Sequence, residues 1–195
     1  MAGDKCVPDA VIKSDNNGRG VVNGSVIKQG VELKPANERV ANYLEQCGVA
    51  FDIRILSAAV RTARLAAEAL DCEVGQIANS LIFREVANDA TADRAVLIMC
   101  CGDRRVDLHK VKLQTGIDLG KADADFVRSQ TGFAIGGVPP VAHNRPLRCL
   151  LDTSLQRHME IWAAAGTPES VFCMSPAELQ QITGGSWHEL SLAAS

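Results

Sequence analysis

The residues of this chain whose types and spacing could do chemistry gather in Gly132–Pro140, GFAIGGVPP. Three glycines and two adjacent prolines fall within nine residues, with Phe133, Ala134, Ile135 and Val138 between them. Glycine opens backbone conformations closed to other residues and lets a ligand approach the main chain; proline fixes φ and removes a donor. The stretch reads as a stiff, shaped loop at the end of a short buried strand. Taken alone it supports a tight turn between strands, the ordinary use of Gly and Pro, or a main-chain wall that a ligand can reach.

Other constellations are weaker. His109, His143, His158 and His188 have no close ligand spacing, and Cys100 and Cys101 are adjacent inside an apolar run. A closed zinc site needs four convergent ligands, so no metal and no cofactor are expected. GFAIGGVPP matches neither GxxxxGK[ST] nor GxGxxG and opens no helix, which argues against a phosphate cradle. A cysteine nucleophile would need a base and a lowered pKa; His109, eight residues beyond Cys101, is its sole support. Core thiols are the better reading. Gly102–Asp107, GDRRVD, reads as a solvated turn with local ion pairs rather than a basic lip formed by Arg104 and Arg105.

Composition narrows the partners. Twenty Lys and Arg against 23 Asp and Glu leave a net charge of −3, so no basic field advertises a long duplex footprint. A protein that grips only the end of a nucleic acid touches few phosphates and stays compatible with that charge. Seven cysteines, an odd number without a CxxC pair, read as reduced thiols of a cytoplasmic protein. No apolar run reaches the roughly 18 residues of a membrane span, and the N-terminus lacks the apolar core of a signal peptide.

These residues need elements to position them. The chain predicts an N-terminal extension over residues 1–34 and one domain over 35–195. Helices are expected at Pro35–Cys47, Arg61–Leu70, Asp107–Gln114, Asp123–Gln130 and from Ser175 to about Thr183. The last has Ser at its N-cap, Pro at its first position and Glu178 closing a capping box. Strands are expected at Phe51–Leu56, Ile77–Val86, Ala95–Cys101, Leu147–Leu151, Glu160–Ala165, Val171–Met174 and Trp187–Leu190. Ile77–Val86 and Ala95–Cys101 would form an antiparallel hairpin. Irregular alternation excludes a doubly wound fold. The fold class is a mixed α/β (α+β) single domain with a mixed sheet of about seven strands and flanking short helices.

Five segments in order resemble the YbaK/ProX family, free-standing relatives of the editing domain of bacterial prolyl-tRNA synthetase. They are Gln76–Arg84, Val96–Lys110, Ala122–Val141, Leu150–Asp152 and Ile161–Phe172, within a likeness spanning roughly Asn37 to Leu190. The resemblance implies a partly barrel-like sheet and a trans-acting deacylase. Such an enzyme hydrolyses the ester between a small wrong amino acid and the terminal adenosine of tRNA, typically that for proline. Partners would be the acceptor end of aminoacyl-tRNA and an aminoacyl-tRNA synthetase, with no membrane and no metal. It assigns catalysis to the main chain of Gly136, Gly137 and Val138, to Asp152 as a pocket carboxylate, and to position 79. Substrate contacts would come from Ser80, Gly102, Phe133, Ile135, Pro139, His143, Gly166 and Thr167. An activated ester needs a positioned water or ribose hydroxyl and preset donors for the oxyanion, which such a loop can supply.

One position departs from the family pattern: Asn79 stands where the family usually has lysine. Asparagine can donate a hydrogen bond but brings no charge to a phosphate. Arg84 would lie on the opposite face of the same strand, leaving Arg61, Arg64 or Arg104 to supply a cation. The resemblance therefore also admits a module that binds a tRNA end or a synthetase without turnover. A hydrolase of another small activated ester is the third reading.

Overall fold

A computed structural model of the chain describes residues 33–57, 62–86 and 94–193, together with the main chain of β1 (Lys13–Ser14) and β2 (Gly20–Val21), an antiparallel pair. The extension expected over residues 1–34 otherwise lies outside the described residues, as does Arg61, apart from residues 33 and 34.

Helix α1 (Pro35–Gln46) starts at a proline and buries Asn37, Val40, Ala41 and Leu44 along one stripe. After it come β3 (Ile53–Ile55) and α2 (Ala63–Leu70), capped by the Thr62 hydroxyl, which accepts from Leu65 N–H. A 3₁₀ turn (Val74–Gln76) leads into β4 (Ile77–Glu85), and β5 (Ala95–Cys101) returns beside it. Then follow β6 (Arg104–Val106), α3 (Leu108–Thr115), β7 (Leu119–Lys121) and α4 (Ala124–Thr131). The side chains of Asp107 and Asp123, expected as first helical residues, instead cap α3 and α4. The chain ends with β8 (Arg148–Asp152), a second 3₁₀ turn (Thr153–Arg157), β9 (Ile161–Ala164), β10 (Ser170–Met174), α5 (Pro176–Thr183), β11 (Ser186–His188) and β12 (Ser191–Ala193). The Ser175–Glu178 capping box of α5 is present as read.

Eight strands form one mixed sheet in the order β11-β8-β5-β4-β9-β10-β3, with β7 added on β4. The antiparallel β4–β5 hairpin is its centre, pairing Ala78 with Cys101 and Arg84 with Ala95. Strand β8 runs parallel to β5, β11 to β8, and β9 to β4. Every residue of β5 is buried, as expected of a strand covered on both faces. On one face Leu97, Met99 and Cys101 pack with α1, α5 and Val138; on the other Val96, Ile98 and Cys100 pack with Val111 and Leu190. A third cluster sets Ala66 and Ala67 of α2 against Ile77, Trp162 and Val171.

Three differences from the sequence reading matter. GFAIGGVPP does not end a strand; it follows α4, whose left-handed C-cap is Gly132 at φ +79°. Arg104 and Arg105 lie in a short strand, not in a free turn, because β12 pairs with β6. Strands β6, β7 and β12 are three residues each, too short to leave an alternation.

The thiols follow the packing. Burial pushes the Cys100 thiol up to about 12, with the charge of Asp152 adding to it, and pushes Cys149 up to about 12 as well. The thiolate is the nucleophile, so iodoacetamide at pH 8 is expected to label Cys100 and Cys149 only after unfolding. Peptide mass mapping with and without denaturant checks this; rapid native labelling of either would contradict the burial.

Candidate active site

Strands β4 and β9 are paired only at Ile77–Trp162 and Ala78–Ala163, then diverge, while β7 takes up the same edge of β4 from Phe83 onward. The gap opens into a cleft of about 770 Å³. Its walls are α2 (Ala63, Ala66), the sheet (Ile77, Asn79, Leu81, Trp162, Ala164), the loop (Ile135, Gly136, Val138) and the turn Pro168–Ser170. Mixed apolar and polar walls of this size suit a small ligand.

The loop wall is set by contact with the turn. A Cβ on Gly137 would lie 2.7 Å from Thr167 C, 2.8 Å from Thr167 Cα and 2.9 Å from Pro168 N, so only glycine lets the two backbones touch. Gly137 N–H donates to Ala134 C=O at 3.0 Å, which closes the loop on itself and removes that N–H from the cleft. Gly136 and Val138 line the cleft; Gly137 does not. Of the three main-chain donors expected, two remain.

The turn is anchored from below. Asn37, 1% exposed, donates to Ala165 C=O (2.7 Å) and Ser170 Oγ (2.8 Å), and Thr167 donates from N–H (3.0 Å) and Oγ1 (2.8 Å) to the same hydroxyl. Gly166 sits at φ +103° against the Ala36 carbonyl. Gly166 and Thr167 thus hold the wall, and their neighbours Pro168 and Glu169 reach the cleft. Glu169 is the charged residue among its described lining; Lys34 Nζ hydrogen-bonds its carboxylate and holds it below the usual carboxylate range. Glu169 went unread in the sequence, although it follows a Gly-Thr-Pro turn.

The remaining expected residues separate into two groups. Asn79, Ser80 and Ile135 line the cleft. Gly102, Phe133, Pro139, His143 and Asp152 do not. Gly102 is pressed beneath α2, where a Cβ would lie 2.6 Å from the Val74 carbonyl. Phe133 is core, covered by the Arg39 guanidinium at 3.8 Å. His143 meets the Pro139 carbonyl through Nε2 at 2.8 Å, behind the loop, and burial pulls its pKa down.

Asp152 is 1% exposed and fully engaged. Its Oδ1 accepts from Ser154 N–H (3.0 Å), the Ser154 hydroxyl and the Ser191 hydroxyl (2.9 Å); its Oδ2 accepts from Leu190 N–H (2.7 Å). The carboxylate is a clasp between β8, the second 3₁₀ turn and β12. The expected pocket carboxylate is therefore outside the cleft lining, with both of its oxygens hydrogen-bonded.

Of the substitute cations expected, Arg64 and Arg104 are absent from the cleft's described lining, as is Arg84, and Arg61 lies outside the described residues. Arg84 lies over the Phe126 ring at 3.9 Å, on the face opposite Asn79; Arg64 pairs with Glu68 on the exposed side of α2; Arg104 belongs to β6. Among the described residues no group of three or more His, Cys, Asp or Glu side chains could hold a metal. No helix there is long and apolar enough to cross a membrane.

Comparison with known proteins gives the chain its family. The family profile for the aminoacyl-tRNA editing domain matches residues 57–182, and the chain belongs to that family. An uncharacterised protein of Bacillus subtilis (strain 168), YwhH, is 30% identical over 132 residues, covering 68% of this chain and 81% of that one. A crystal structure of a protein proposed as a trans-editing enzyme for prolyl-tRNA synthetase is 41% identical and superposes with a TM-score of 0.76, over 83% of this chain and 100% of that one. That of the hypothetical protein APE2540 is 25% identical with a TM-score of 0.71, over 79% and 99%.

Proposed function

We propose that this chain is a trans-acting aminoacyl-tRNA deacylase that releases a small non-cognate amino acid from the 3′ end of tRNA, that for proline first. The observation that carries the reading is that Gly136 and Val138 line the same cleft as Asn79 and Ser80, in a chain of the editing-domain family. Water adds to the ester carbonyl carbon, the C–O bond to the ribose breaks, and the ribose oxygen leaves with a proton. The chain has to position the reactants and stabilise the oxyanion, and main-chain N–H groups beside a half-closed cleft do so without reorganising. A synthetase that supplies the misacylated tRNA fits as partner, and the cytoplasm as location.

Incubation with tRNAs charged with Ala, Cys, Ser or Thr is expected to release one or more of them above the buffer rate. No release from any would refute the hydrolytic reading. The second reading, a binder of tRNA ends or of a synthetase without turnover, is favoured by the neutral Asn79 on the cleft wall. Asn79→Lys, read against the parent chain, distinguishes them. It is expected to raise the release rate by about tenfold or more, the effect of one added hydrogen bond to a charged group. A binder releases nothing as the parent chain yet retains tRNA in a gel shift, and Asn79→Lys then creates release where the rest of the pocket is intact.

A further inference from the structure

The open edge of β4 carries more than a wall. Glu85 N–H donates to Arg94 C=O (2.9 Å), toward β5, and Val86 N–H donates to Asp118 C=O (2.8 Å), on the side of β7. Main-chain groups of successive strand residues alternate in direction. Along β4 the odd residues therefore turn N–H and C=O to β5, and the even residues turn both away from it. Ala78 spends its pair on β9 and Arg84 on β7.

Ser80 lies between those ladders. Continuing the parallel β4–β9 ladder by one step would join Ser80 N–H to Ala164 C=O, but among the described residues it stops at Ala78–Ala163. Both Ser80 and Ala164 line the cleft instead. On β9, Ala165 N–H donates to Ser170 C=O (2.8 Å), toward β10, so the Ala164 carbonyl is turned to the β4 side. The cleft thus has a donor and an acceptor from one residue, Ser80, with a second acceptor across the gap.

An unpaired edge recruits whatever can complete it. Here α2, the loop and the Pro168–Ser170 turn wall the gap. The complementary partner of one strand residue is another single residue: in an antiparallel pair, two residues exchange both N–H···O bonds. An α-aminoacyl ester carries that pattern, an ammonium donor one carbon from a carbonyl acceptor.

Resting on the deacylase reading, we propose that the main chain of Ser80 is the receptor for the aminoacyl head group. Its C=O accepts from the substrate α-ammonium and its N–H donates to the ester carbonyl. The site then demands an α-amino acyl group and reads it through backbone that no side-chain substitution removes. Glu169 is the rival receptor for the ammonium, and Lys34 already hydrogen-bonds one of its two carboxylate oxygens.

The test uses tRNA carrying alanyl, lactyl or propionyl esters, each rate divided by its own uncatalysed rate. The enhancement is expected to fall in that order, by about tenfold or more from alanyl to propionyl, the effect of losing a hydrogen bond from a charged group. Equal enhancement for alanyl and propionyl esters would overturn the proposal. Glu169→Gln is expected to keep the discrimination; its disappearance in that variant would make the side chain the receptor and overturn it likewise. A second arm does not need turnover. Titration of the ¹⁵N-labelled protein with a non-hydrolysable 3′-alanylamido adenosine is expected to move the Ser80 amide resonance, and the propionyl analogue to move it far less. An unmoved Ser80 amide overturns the proposal even if hydrolysis is seen; a moved one supports it even if the chain proves to be a binder.

Discussion

Gly137→Ala is expected to reduce ester release by about 100-fold while leaving a folded protein, because a displacement of about 1 Å in a positioned site is worth that much. The three atoms its Cβ would meet, at 2.7, 2.8 and 2.9 Å, are all main chain of Thr167 and Pro168. None can rotate away, as the end of a flexible side chain could. The turn is in turn fixed by Asn37 and Ser170 beneath it, so the loop is the part that moves, and Gly136 and Val138 move with it. Gly116→Ala is the control. Gly116 is left-handed at φ +73° with nothing within 4 Å of a Cβ, so it loses about 1 kcal/mol of stability through strain alone. Its release rate should be unchanged. Steady-state kinetics and thermal melts of both variants separate the two effects. A Gly137→Ala enzyme with full turnover would mean that the loop does not position the reaction.

This contrast also marks where the sequence stopped being informative. Helix caps are local: Thr62, Asp107, Asp123 and Ser175 each act on an N–H two or three residues ahead, and the helices were legible to within two residues. The β4–β5 hairpin was legible because both strands are long and β5 is apolar throughout. The three-residue strands β6, β7 and β12 were not, since pairing with a distant partner, as β12 with β6, defines them more than their own pattern. In the site, the loop was visible as composition, yet Gly137's closed N–H and Glu169's place on the wall depend on how loop and turn meet. The open edge at Ser80 is a property of where two ladders end, and no residue type encodes it.

Asp152 shows the same limit with the largest energy attached. Asp152→Ala is expected to lower the unfolding free energy by about 3 kcal/mol or more, because each buried polar group left unpaired costs about 1–3 kcal/mol. Leu190 N–H, Ser154 and Ser191 all lose their acceptor at once, and the strand pair β6–β12 loses its tie to β8. Asp152→Asn is not a rescue. The amide keeps one oxygen, but its NH₂ then faces a group that is itself a donor, at a site only 1% exposed, and about 2 kcal/mol of destabilisation follows. Urea unfolding gives these values. Release rates measured per folded molecule, at a temperature where each variant is still native, give the functional half of the test. With a structural clasp they stay within a few-fold of the parent, because Asp152 lies outside the cleft lining. A variant with native stability and no turnover would return the carboxylate to the chemistry, and the cleft beside Asn79 would then be too small a description of the site.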